Sequence, residues 1–98
     1  MNFWRGEGEV MAHLYMTSGR VREVKPANGK SFLLKELQKL VGGNVELVRT
    51  TSEGERMAIN EEGKIFSLPL NIPATRLYIW GRKDVIVGDA VLLEKGEF

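Results

Sequence analysis

The sequence predicts a small α+β domain. We expect a mainly antiparallel sheet of hairpins, in the order β-β-α-β-β-β-α-β, with one long helix packed on it and a second short helix. Three observations lead there. Leu33, Leu34, Leu37, Leu40 and Val41 recur at helical spacing and stop at Gly42-Gly43. Short alternating or β-branched stretches flank that helix, punctuated by Ser18-Gly19, Asn28-Gly29 and Asn60-Glu61-Glu62-Gly63-Lys64. The 98 residues, 43% of them apolar, suit one modest core.

Residues 1–10 read as an N-terminal tail, residues 11–94 as a single domain and residues 95–98 as a C-terminal tail. Gly6 and Gly8 weaken any helix or strand in the first segment. Ala12 to Thr17 alternates, with Leu14 and Met16 on one face and His13 and Tyr15 on the other. A two-residue turn at Ser18-Gly19 returns the chain as a strand over Arg20 to Lys25, which Pro26 stops. Ser31 is the expected N-cap of the long helix, and Gly42 its left-handed C-cap.

Val45 to Thr50 and Arg56 to Asn60 form the next hairpin. Glu61-Glu62-Gly63 fits a three-residue loop with a left-handed glycine, after which Lys64-Ile65-Phe66 continues as a strand. Asn71 caps the short helix and Pro73 occupies its first turn. Leu77 and Trp80 are placed toward the core, Arg76 toward solvent, and Gly81 at the helix end. Ala90 to Leu93 is the last buried strand, and the residues beyond it are expected to fray.

Composition narrows the chemistry. The absence of cysteine removes disulfides, zinc–thiolate sites and thiol nucleophiles. His13 is the single histidine, too little for a transition-metal site or a convincing catalytic triad. We therefore expect no catalytic residues, no metal and no cofactor. No apolar run is long enough to span a bilayer and no signal peptide is evident at the first residues, so the expected location is cytoplasmic, with no membrane partner. Glu61 and Glu62 are paired acids, but neighbours at a hairpin tip point apart into water, where nothing raises a carboxylate pKa for acid–base work.

Net charge is +1, unevenly spread: residues 1–49 carry 8 Lys/Arg and 5 Asp/Glu, residues 50–98 carry 6 and 8. The densest basic stretch contains Arg20, Arg22, Lys25, Lys35 and Lys39. It offers a face for nucleic-acid phosphates, although such a stretch is more often simply solvated.

Four blocks carry a resemblance. Leu37-Gln38 with Val41-Gly42-Gly43-Asn44-Val45-Glu46, Asn60-Glu61-Glu62-Gly63-Lys64, Leu68-Pro69-Leu70-Asn71, and Ile86-Val87-Gly88-Asp89 resemble a family of small single-domain proteins of unknown function. That family is scattered through bacteriophages, plasmids and other mobile elements. The resemblance covers nearly the whole chain beyond the tail and implies an accessory protein acting inside a bacterial host cell. It implies no activity, substrate or cofactor.

The leading expectation is thus a non-enzymatic binding module, taking a host protein or a small anionic metabolite or nucleotide, with counter-defence as one role. Self-association is compatible with it. The alternatives are a nucleic-acid-binding accessory protein using the Arg20–Lys39 face and, last, a small hydrolase. The candidate ligand residues are Asn60, Asn71, Tyr78, Trp80 and Arg82. Amides orient a ligand, an aromatic ring stacks on it, and Arg82 favours an anionic group.

Overall fold

A computed structural model describes residues 12–94 and 96–98. The tail expected over residues 1–10 lies outside them. The elements are β1 (Ala12–Tyr15), β2 (Val21–Val24), α1 (Leu34–Val41), β3 (Val45–Arg49), β4 (Glu55–Asn60), α2 (Ile72–Leu77) and β5 (Ala90–Glu94). The five strands form one antiparallel sheet in the order β2-β1-β5-β4-β3. The chain is α+β, as its hairpins imply. The order has one strand fewer than expected, and the helix expected to be long has eight residues.

The missing strand is Lys64-Ile65-Phe66. Those residues form a helical turn: Phe66 N–H donates to Glu62 O, Ser67 N–H to Lys64 O and Leu68 N–H to Gly63 O. The last two bonds are a Schellman closure, with Ser67 in the left-handed position at φ 54°. Turn bonds won because Ile65 and Phe66 bury little, so no sheet neighbour rewards extension there. Gly63, expected to be left-handed, is not. It is glycine because a Cβ would lie 2.9 Å from Val87 Cγ2. The first hairpin loop has three residues rather than two, since Met16 N–H pairs with Arg20 O and Gly19 takes φ 94° as its last member.

Alternation along the sheet divides the core in two. Ala58, Val91 and Leu93 join Leu14, Phe32, Leu37 and Val41 beneath α1. Met57, Ala90 and Leu92 face the other way and meet Ala74 of α2 and Ile86. Both faces are therefore covered, α1 on one side and α2 with its flanking loops on the other.

α1 starts later than expected. Asn28 Oδ1 accepts from the N–H groups of Lys30 and Ser31, and Phe32 N–H donates to Glu97 O, so Ser31 is tied into the preceding turn and Leu33 is the N-cap. Glu36 substitutes for a capping side chain. Its carboxylate accepts from Leu33 N–H at 2.8 Å and from Ala27 N–H at 2.7 Å. Those bonds, Leu33 first, hold its pKa below the ordinary value. A depressed carboxylate stabilises the fold above its unfolded pKa, and that contribution fades as pH falls through the folded value. Glu36→Gln is therefore expected to lower the urea midpoint at neutral pH, with the two proteins converging in acid. A difference that persists unchanged in acid would show that charge plays no part.

Near the C-terminus Glu97 is tied back to the fold rather than frayed. Glu97 is buried, its backbone carbonyl accepts from Phe32, and its carboxylate accepts from Glu94 N–H at 2.7 Å. The segment read as a C-terminal tail thus braces the entry to α1.

Candidate functional site

The two amides singled out in the sequence serve the fold. Asn71 is fully buried; its Oδ1 accepts from Ala74 N–H at 3.1 Å, which caps α2 as expected. Its Nδ2 donates to Tyr15 O and to Gly88 O, both at 2.8 Å, joining α2 to β1 and to the turn before β5. Asn60 donates to Val41 O at 3.3 Å and accepts from Glu62 N–H at 2.8 Å, tying the end of α1 to the turn after β4. Gly43 makes room for it, since a Cβ there would lie 2.8 Å from Asn60 Nδ2.

The segment after α2 builds a different arrangement. α2 ends at Leu77 because Tyr78 turns extended, at φ −67° and ψ 134°. Edge strand β3 captures the chain there: Tyr78 bridges Thr50, Ile79 N–H donates to Arg49 O, and Thr51 N–H donates to Leu77 O. Gly81 then folds the chain back onto the last turn of α2. A Cβ on Gly81 would lie 2.1 Å from Thr75 O, so only glycine permits this approach. Gly81 was expected to end the helix; its reason is this packing instead. Trp80, expected in the core, is 56% exposed, because it follows the end of α2 and no longer shares a helical face with Leu77.

The result is a cleft of about 330 Å³ lined by Thr51, Thr75, Arg76, Tyr78, Ile79, Gly81 and Arg82. Among the described residues no carboxylate lines it, and neither guanidinium forms an ion pair or hydrogen bond. Thr75 Oγ1 is committed to Asn71 O at 2.7 Å and to Ile86 N–H at 2.9 Å. Tyr78 also borders a second cleft of about 170 Å³, which includes Asn60 and is walled by Val48, Ile59 and Val85. Glu46 and Glu61 line it as well, and so do Lys64 and Asp84, which form an ion pair. That bond from Lys64, with a further one from Val85 N–H, keeps the Asp84 pKa below its usual value.

Of the five candidate residues, Tyr78 and Arg82 thus share one cleft and Asn60 lies in its neighbour. Asn71 sits inside the protein, and Trp80 lines neither cleft. Arg76 is the residue sequence reasoning missed. The sequence places it only as an exposed helical cation, and its sharing of a cleft with Arg82 depends on the chain reversal after the Thr50–Tyr78 bridge.

The basic face is partly gathered. Lys25 and Lys39 line a cleft of about 350 Å³ between β2 and α1, and the Glu36 carboxylate lines it with them. Arg22 pairs opposite Leu14 and so projects on the same side of the sheet, while Arg20 and Lys35 are exposed nearby in sequence.

The family described as Domain of unknown function (DUF3846) matches residues 11–98. The chain belongs to that family. No curated protein and no solved structure matches it. Membership in DUF3846 includes the C-terminal residues that brace α1. Among the described residues, no helix is long and apolar enough to cross a membrane.

Proposed function

We propose that this DUF3846 protein is a non-enzymatic binding module whose ligand is a small anionic molecule held in the Arg76–Tyr78–Arg82 cleft. The observation that carries this reading is that two arginines, Arg76 at the end of α2 and Arg82 after Gly81, line one cleft with no carboxylate among its described lining. Guanidinium groups bind phosphate or carboxylate bidentately, and an aromatic ring gives the rest of a ligand a surface to stack on. The wider setting in this proposal is an accessory protein of a phage or mobile element, acting in the bacterial cytoplasm by sequestering a metabolite or nucleotide. The block resemblance supports that setting.

Thermal-shift screening of the whole chain against phosphorylated and carboxylated metabolites tests the reading. Ligands carrying phosphate are expected to raise the melting temperature in a concentration-dependent way. Arg76→Gln with Arg82→Gln, both exposed positions, should abolish the shift while leaving the unliganded protein as stable. An undiminished shift in that double variant would refute the assignment of the cleft.

A further inference from the structure

We infer that β3 takes a further strand along its free edge: an extended acidic segment of another protein, which sets a carboxylate against Arg49 and Arg56. β3 and β2 are the outer strands of the sheet. Arg49 O accepts from Ile79 N–H and Thr51 N–H donates to Leu77 O, while Asn44 O accepts from Glu61 N–H on the β4 side. Backbone groups alternate in direction along a strand, so Val45 and Leu47, in step with Arg49, turn theirs away from β4. Among the described residues those groups have no hydrogen-bond partner. Tyr78 and Ile79 already pair with this edge, but only from Arg49 onward, which leaves Val45 to Leu47 open. An unpaired edge is a template for an incoming strand.

Charge selects the occupant. Val45 packs toward α1, and alternation puts Leu47 and Arg49 on the same face. Arg56 lies directly opposite Arg49 in the β3–β4 register. Like charges so placed disfavour the pair, and a carboxylate beside them offsets that. Neither guanidinium forms an ion pair. Arg56 gives its hydrogen bonds to the backbone carbonyls of Glu53 and Glu55, although Glu53 and Glu94 line the same cleft. Leu47, 45% exposed, adds an apolar contact next to the two arginines. A strand with an apolar and an acidic residue two positions apart presents both to this face. These groups are separate from the Arg76–Arg82 cleft, so the inference does not rest on the anion reading.

The probe is a blocked peptide of the order valine-threonine-glutamate-threonine-valine, titrated into the whole chain by calorimetry and followed by amide hydrogen exchange. It is expected to bind at least about tenfold more tightly than its counterpart with lysine in place of glutamate. It should also slow exchange at the Val45 and Leu47 amides. Methylating the peptide's backbone nitrogens should abolish both effects, since edge pairing needs those donors. Arg49→Gln, at an exposed position, should shrink the preference for glutamate while leaving the free protein as stable. Failure of the glutamate peptide to bind, or equal binding of the lysine peptide, would overturn the inference. So would protection at β2 instead of β3. Protection of Val45 and Leu47 in the free protein that grows with its concentration would also overturn it, and would assign the edge to a second copy of this chain.

Discussion

Asn71→Ala is expected to be the most damaging single substitution in the described fold. It removes the α2 cap and deprives two backbone carbonyls, Tyr15 O and Gly88 O, of their donor at a fully buried position. A lost cap costs about 1 kcal/mol, and each buried polar group left without a partner costs about 1–3 kcal/mol. The expected loss is therefore about 3 kcal/mol or more, read as a lower urea midpoint. Asn71→Asp separates the two roles. The carboxylate still caps α2, but it cannot donate and its charge faces two carbonyl oxygens. It should be at least as destabilising as alanine at neutral pH, and less so in acid as the carboxyl gains a proton. An Asp variant near wild-type stability would show that capping is the whole role of Asn71.

Leu37→Ala should cost about 2–5 kcal/mol, the range for truncating a fully buried leucine. Leu37 is wholly inaccessible and packs beneath α1 with Phe32, Leu14 and Val91. α1 is only eight residues long, and a helix that short is stable only through the face it buries. The loss should therefore appear in the far-ultraviolet helical signal as well as in the midpoint. A midpoint unchanged within error would mean that α1 contributes little to the core.

The elements that local chemistry controls were legible in the sequence. The leucine spacing located α1, and Gly42 ends it in the left-handed conformation at φ 80°, as its position after the apolar run implied. Asn71 followed by Pro73 located the start of α2. What stayed hidden depended on distant partners. Lys64 to Phe66 has strand composition, yet it closes into a turn because no neighbouring strand is there to pair with it. Ser31 is a good capping residue, but Asn28 and Glu97 hold the chain around it in another conformation.

The candidate site divides the same way. Tyr78 and Arg82 could be chosen from residue type. The placing of Arg76 in the same cleft as Arg82 could not, because it needs an edge strand to intercept the chain at Tyr78 and a glycine that tolerates the Thr75 carbonyl. Asn60 and Asn71 have ligand-like chemistry in the sequence, and the structure shows it directed at the protein's own backbone.

An amide NMR titration of the whole chain with ribose 5-phosphate tests the central claim most directly. The account predicts saturable shifts clustered at Thr51 and across Thr75 to Arg82, absent from the Arg76→Gln, Arg82→Gln double variant. Shifts centred instead on Lys25 and Lys39, between β2 and α1, would contradict it and place the anion site on the opposite face of the sheet.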